Sequence, residues 1–185
     1  MPFATIYLSI KLIPVVKFAI APHISFIYLI LILSTIILPL ISVLFLINQE
    51  RISSLEMNNF RERPLPLFIA AICMILGYYK MGGVLVFSPI LKAEIMGAII
   101  IIISASAISR YWKISIHMLA IGGVIGVMVA LNSLFGGLVG IIMLLLFLGG
   151  VLGVARLKEQ AHNKMQIYTG FLIGFLIELT SVLFL

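Results

Sequence analysis

Long apolar runs separated by short polar segments set the pattern of this chain. Six of these runs approach or exceed the roughly 20 residues that span about 30 Å of hydrocarbon as a helix. Leucine, isoleucine, glycine and methionine fill the runs without strict alternation, which favours helices over the strands of a membrane barrel. We therefore predict an all-α, polytopic transmembrane bundle of about six spans, at about 23–47, 65–79, 92–109, 115–132, 137–155 and 164–185.

The first 22 residues are apolar, but prolines and lysines interrupt them. Such a segment makes a poor spanning helix, so we expect an interfacial or re-entrant segment over 1–22 and a six-span core over 23–185, in a single membrane domain. No basic region precedes the first apolar stretch, and Pro22 directly follows the one candidate cleavage site. We therefore expect no cleaved signal peptide.

The composition supports a membrane protein. The chain has 185 residues, of which 63% are hydrophobic and 10% charged, and its mean hydropathy of +1.31 excludes a soluble domain. The one cysteine, Cys73, lies in an apolar run, which excludes a disulfide framework and a cysteine metal cluster. The net charge of +6 lies in loops, which argues against nucleic acid and favours membrane topology or an anionic ligand.

Three polar loops, 48–64, 110–114 and 156–164, fall on one side of the membrane, because two crossings separate each from the next. The positive-inside rule would place this side in the cytoplasm, but cations retained for phosphate binding would bias that rule, so both orientations stay open. We expect the protein in the cell (inner) membrane. Eight basic residues share this side: Arg51, Arg61, Arg63, Arg110, Lys113, Arg156, Lys158 and Lys164.

The segment 154–166, with sequence V-A-R-L-K-E-Q-A-H-N-K-M-Q, carries the clearest chemistry. Arg156 supplies a permanent charge that binds phosphate, and His162 follows it by six residues with a ring able to attack phosphorus. A second group stands at the head of the fourth span, where Ser115 fits a helix N-cap and His117 lies in the first turn. Helix N-termini favour phosphate, and a histidine there could protonate a leaving oxygen.

Together these residues resemble the motifs of the type 2 phosphatidic acid phosphatase superfamily over about 48–174. The family's second motif, Ser-Gly-His, is matched by Ser115-Ile116-His117. Its third motif is Ser-Arg, five residues, His, three residues, Asp; here it reads Ala155-Arg156, five residues, His162, three residues, Gln166. In the first motif, which is Lys, six residues, Arg-Pro, Arg63-Pro64 fits, Glu56 replaces the lysine, and Arg61 could partly compensate.

The resemblance implies the fold of that superfamily and hydrolysis of a lipid phosphomonoester, such as phosphatidate, or of a polyprenyl diphosphate. It implies that His162 is the nucleophile and forms a phosphohistidine, while His117 protonates the leaving alcohol. Gln166 would orient His162 in place of the family's aspartate. No cofactor and no metal are implied, and the residues expected to hold the phosphate are Arg63, Arg156 and Ser115, with Arg61.

The departures from these motifs favour an alternative, which is a catalytically inactive relative that binds anionic lipid or serves as an accessory subunit of a larger membrane complex. The Gly-rich stretches from Gly122 to Gly153 could serve internal packing or such a partner. A transporter is a third possibility, because Glu178 is an ionisable residue within a span. We expect Glu178 to reach the far interface instead, since the end of the chain is near.

Overall fold

The computed structural model describes residues 2–55, 57 and 59–184, and every regular element in these ranges is helical. A π-helical turn at Leu33–Ile37 joins the third helix to the fourth. Within these ranges the α-helices are α1 (Pro2–Leu12), α2 (Pro14–Ile20), α3 (Ile24–Ile32), α4 (Leu38–Asn48), α5 (Pro64–Leu85), α6 (Pro89–Ile108), α7 (Ile116–Phe135), α8 (Val139–Lys158) and α9 (Lys164–Phe184).

Six helical segments in the described part of the chain are long and apolar enough to cross a membrane. The predicted all-α bundle with about six spans is confirmed at this level, and the superfamily's specific fold stays a prediction. The first span is longer than predicted, because α2, α3 and α4 follow one another without a non-helical break. The spans are Pro14–Asn48, Phe60–Leu85, Pro89–Ile108, Ile116–Phe135, Val139–Lys158 and Lys164–Phe184.

Two glycine pairs lie between the predicted spans, at 82–83 and at 136–137, and the sequence predicts a turn at each. The structure has a turn at only one of them. Gly136 and Gly137 have φ angles of 73° and 78°, a backbone region that favours glycine, and they end α7 as predicted. The predicted turn at 82–83 is wrong, because α5 continues through both glycines to Leu85. The chain turns only before Ser88, whose hydroxyl accepts a hydrogen bond from the backbone N–H of Leu91 and caps α6.

The closest packing in the bundle joins α7 to α9 through glycines. A Cβ on Gly174 of α9 would strike the carbonyl oxygen of Leu119, and one on Gly122 of α7 would strike that of Phe171. The absence of side chains lets the two backbones touch, as small residues do in membrane helix pairs. This part of the Gly-rich surface therefore serves internal packing. On α8, by contrast, Gly150 has nothing within 4 Å of its Cβ position.

The N-terminal segment is helical and packs within the bundle. Ile6 and Ser9 of α1 are fully buried, and α1 contacts both α6 and α7. The chain breaks at Ile13, where the backbone is extended and Pro14 begins α2. On α2, Val16 and Ile20 are buried in the same core, whereas Lys17 and Phe18 are exposed, so α2 packs against the bundle with one face only.

Glu178 does not reach the far interface, so that prediction is wrong. Its side chain is only 2% exposed, and its Oε2 occupies the place where a side chain on Gly97 of α6 would begin. The sequence pattern could not show this, because it depends on which face of α9 meets α6.

Candidate functional site

The head of α7 forms the centre of the candidate site. Ser115 is fully buried, and its hydroxyl accepts a hydrogen bond from the backbone N–H of Met118 at 3.4 Å, so it is the N-cap that the sequence predicted. Its own backbone N–H lies 3.4 Å from the carbonyl oxygen of Gln166. The heads of α7 and α9 are thereby joined, and the first turn of α7 comes next to the loop that carries His162.

Arg63 brings the first of the three polar loops to the same place. Its side chain is half-buried, with Nε donating to the carbonyl oxygen of Met57 at 3.1 Å and Nη1 reaching that of Ile114 at 3.5 Å. Ile114 directly precedes the N-cap of α7. The guanidinium of Arg63 therefore stands at a helix N-terminus, where a second positive charge would add to the attraction for an anion.

Arg156 lies in the last turn of α8 and contacts His117. Its Nη2 lies 3.1 Å from Nε2 of His117, and its Nη1 pairs with a carboxylate oxygen of Glu159 at 3.0 Å. Because a guanidinium only donates hydrogen bonds, Nε2 of His117 must be the acceptor and carries no proton in this arrangement. The Nε of Arg156 is buried without a hydrogen-bond partner. An oxyanion in the site would supply the acceptor that this donor lacks.

His162 is oriented by Gln166, one helical turn later. Its Nδ1 lies 3.0 Å from Oε1 of Gln166, and the same oxygen accepts the backbone N–H of Asn163 at 3.2 Å. Asn163 returns the bond, since its Oδ1 accepts the backbone N–H of Gln166 at 2.9 Å, and the two residues form a capping box at the start of α9. The amide oxygen of Gln166 contacts both Nδ1 of His162 and the backbone N–H of Asn163. Because this oxygen only accepts hydrogen bonds, Nδ1 of His162 is the donor, and Nε2 keeps its lone pair.

Burial is the main reason why the pKa of His162 lies below its ordinary value, since the residue is only 9% exposed. The hydrogen bond that His162 donates to Gln166 raises the pKa, the charges of Arg63 and Lys113 lower it further, and the backbone of Lys113 raises it. The net effect keeps the ring neutral to lower pH than an exposed histidine. A neutral ring is the form able to attack phosphorus.

The structure thus brings together most of the residues that the sequence predicted. His162, Arg156 and Arg63 all act electrostatically on the ring of His117, although 54 residues separate Arg63 from His117 along the chain. Arg61 is not among them: it is exposed and lines a separate hollow with Arg110. Glu56, which replaces the family's lysine, lies outside the described residues.

Sequence reasoning missed two participants. Lys113 acts on His162 through its charge and its backbone, and it stands only two residues before the N-cap Ser115. Glu159 holds Arg156 in an ion pair. Both residues were visible as charges in the polar loops, but only the packing of α7 against α8 and α9 shows which charges reach the site.

No family model, curated protein or solved structure matches this chain. The likeness to the phosphatase superfamily therefore rests on the motif residues alone, and the geometry of those residues has to carry any functional argument.

Proposed function

We propose that this chain is a membrane lipid-phosphate phosphatase that hydrolyses a lipid phosphomonoester or a polyprenyl diphosphate through a phosphohistidine at His162. The observation that carries the proposal is the buried, unpartnered Nε of Arg156 beside His117, on the same face as His162, whose Nε2 bears the lone pair when Nδ1 donates to Gln166. Movement of the guanidinium toward a bound phosphate would give that donor a phosphoryl oxygen as its acceptor. We further propose the cell (inner) membrane as its location.

In the first step, Nε2 of His162 attacks phosphorus, an N–P bond forms, and the P–O bond to the lipid breaks. Binding of phosphate draws the guanidinium of Arg156 from Nε2 of His117 to the phosphoryl oxygens. His117 can then carry a proton on Nε2 and give it to the leaving oxygen. Arg63 and the N-terminus of α7 stabilise the charge on the transferred group.

In the second step, water attacks the phosphohistidine. His117, which lost its proton in the first step, takes one from the water as the O–P bond forms and the N–P bond breaks. Inorganic phosphate leaves, and His162 regains its lone pair. In this proposal Lys113, whose charge acts on His162, supplies a positive charge in place of the lysine that is missing from the first motif.

The proposal is tested by phosphate release from the purified protein in detergent with metal chelator present. We expect release from phosphatidate or from a polyprenyl diphosphate, and a phosphoryl group on His162 when the reaction is quenched and analysed by mass spectrometry. Absence of release from both lipids, with no modified histidine, would contradict the proposal.

The alternative is a protein that binds anionic lipid without turning it over, alone or as a subunit of a larger complex. The neutral amide of Gln166 favours it, because an amide orients His162 but supplies no charge to stabilise a cationic ring. Under this alternative the protein would bind vesicles containing phosphatidate over vesicles of phosphatidylcholine. Arg156→Gln would remove that preference, and no phosphate would be released.

Replacing Gln166 by glutamate should raise the rate of phosphate release by about 10- to 100-fold, because a carboxylate stabilises the positive charge that develops on the imidazole. Glutamate keeps the length of the side chain and so retains the hydrogen bonds to His162 and Asn163. The pKa of His162 should rise. When the pH is lowered, the variant should therefore begin to lose activity at a higher pH than the wild type does. The measurement is the pH profile of kcat/KM.

The matched control for this change is Gln160→Glu, which adds the same charge at an exposed position of the same loop. It should leave both the rate and the pH profile unchanged. An equal effect of the two variants would show that net charge, and not the contact with His162, governs the rate.

A further inference from the structure

Two glutamate side chains are buried in the bundle, at the end remote from His162. Glu94 on α6 is 1% exposed, and Glu178 on α9 is 2% exposed. Glu94 lies five residues after the start of α6, and Glu178 lies six residues before the end of α9. At about 1.5 Å of rise per residue, each lies roughly 8–9 Å from the end of its helix. Both carboxyl groups are thus well inside the apolar bundle.

Most of the carboxyl oxygens lack hydrogen-bond partners. Both oxygens of Glu94 and Oε2 of Glu178 are buried and unpartnered. Ser9 of α1 lies beside Glu94, but its hydroxyl donates to the carbonyl oxygen of Thr5 at 3.1 Å. An ionised carboxylate is strongly unfavourable in such surroundings, because nothing replaces the water it has lost.

In the part of the chain that the structure describes, no cationic side chain forms an ion pair with Glu94 or Glu178. Among the described residues the one ion pair joins Arg156 to Glu159, which belong to the phosphate site. The titratable group that acts on Glu178 is Glu94, and α7 presents Gly123 to its side chain. Oε2 of Glu178 lies against Gly97, which follows Glu94 by three residues on the same face of α6, so the two carboxyl groups are neighbours. Two neighbouring carboxylates repel each other, and both cannot be ionised in the absence of another charge.

The surrounding structure leaves space for the carboxyl group of Glu178. Gly97 of α6 has no side chain, and Oε2 of Glu178 occupies the place where its Cβ would be. The hydroxyl of Ser181 is 3.0 Å from that Cβ position. A cavity of about 190 Å³ reaches Glu178, and its walls are otherwise apolar apart from Thr5 and Thr35. A water molecule or a proton carrier of similar size fits such a space.

We propose that Glu94 and Glu178 form a proton-binding site inside the membrane, in which the pair holds at least one proton at neutral pH and exchanges it through the cavity beside Glu178. A proton satisfies the pair better than a metal cation does. Ion sites within membrane helices draw backbone carbonyls from broken helices, whereas α6 and α9 are continuous across Glu94 and Glu178. The bound proton would lower the charge of the pair and supply the hydrogen-bond donor that its oxygens lack.

Infrared spectroscopy of the purified protein at neutral pH tests the proposal directly. We expect the C=O stretching band of a protonated carboxylic acid in the wild type. This band should be lost in the Glu94→Gln/Glu178→Gln double variant and kept in Glu50→Gln, which makes the same change at an exposed glutamate. A double variant with the same band as the wild type would overturn the proposal.

Labelling with a hydrophobic carbodiimide, which reacts with protonated carboxyl groups, separates a proton from a metal cation. We expect an adduct on Glu178 or Glu94, located by mass spectrometry, with equal yields in sodium chloride and in choline chloride of the same ionic strength. Protection by sodium would overturn the proton assignment in favour of a cation site. Thermal unfolding of the double variant close to that of the wild type shows that the spectra compare folded proteins.

This inference is independent of the proposed phosphatase activity. The infrared band and the adduct require no turnover, so either proposal can fail while the other stands.

Discussion

Replacement of His162 by alanine is expected to abolish the release of phosphate from lipid substrates, with a loss on the order of 10³-fold or more. The reason is that His162 is the buried residue that we propose as the nucleophile of the described site. Its Nδ1 donates a hydrogen bond to Gln166, which leaves the lone pair on Nε2, and no other side chain of the described site has this arrangement. The measurement is phosphate release in the presence of metal chelator, at the pH optimum of the wild type.

The matched control is His23→Ala. His23 stacks on Phe87 with ring centroids 6.4 Å apart, at the far end of α5 from Arg63. This control should retain the wild-type rate. If His162→Ala releases phosphate as fast as His23→Ala does, the histidine mechanism is wrong. The His162→Ala protein should still bind inorganic phosphate, since Arg63 and Arg156 remain, and this binding shows that the site has kept its shape.

Replacement of Gly174 by leucine should destabilise the bundle by about 3 kcal/mol and lower its Tm by roughly 10 °C. The new side chain would meet the carbonyl oxygen of Leu119, which belongs to the backbone of α7 and cannot turn aside. The helices α7 and α9 would have to separate, and the contact between Ser115 and Gln166 would open. We expect activity to be lost together with stability, measured by thermal unfolding in detergent and by phosphate release.

Gly150→Leu provides the control for helix propensity and for added apolar volume. Gly150 lies in the middle of α8, and nothing comes within 4 Å of its Cβ position. The same substitution there should leave the Tm unchanged or raise it slightly, because leucine forms helix more readily than glycine. Equal losses of stability in both variants would show that the contact between α7 and α9 does not hold the site together.

The pattern of the sequence was most informative where a property is local. The apolar runs gave the number of spans, because crossing a membrane requires only length and hydropathy along one segment. The spacing of His162 and Gln166 placed them one helical turn apart, and the structure has them in contact at 3.0 Å. Ser115 was predicted to cap α7, and it does so because a cap involves only neighbouring residues.

The sequence pattern gave wrong predictions where a contact depends on how the helices and loops pack against one another. Arg61 and Arg63 are two residues apart and share a loop, yet only Arg63 reaches the head of α7. The pair at 82–83 was predicted to turn because glycine often does, but the helix continues, since glycine weakens a helix without ending it.

The sequence by itself determined a helical membrane protein whose basic loops share one side, because composition and the parity of crossings are properties of the chain alone. Only the tertiary structure decided that Arg156 contacts His117 across 39 residues of sequence and that the carboxyl group of Glu178 lies against Gly97, one helical turn after Glu94. Such pairs depend on how α7, α8 and α9 rotate and pack against one another and against α6. The rotation of these helices is set by the close approach of their neighbours at Gly97, Gly122 and Gly174. The sequence of a single helix does not show it.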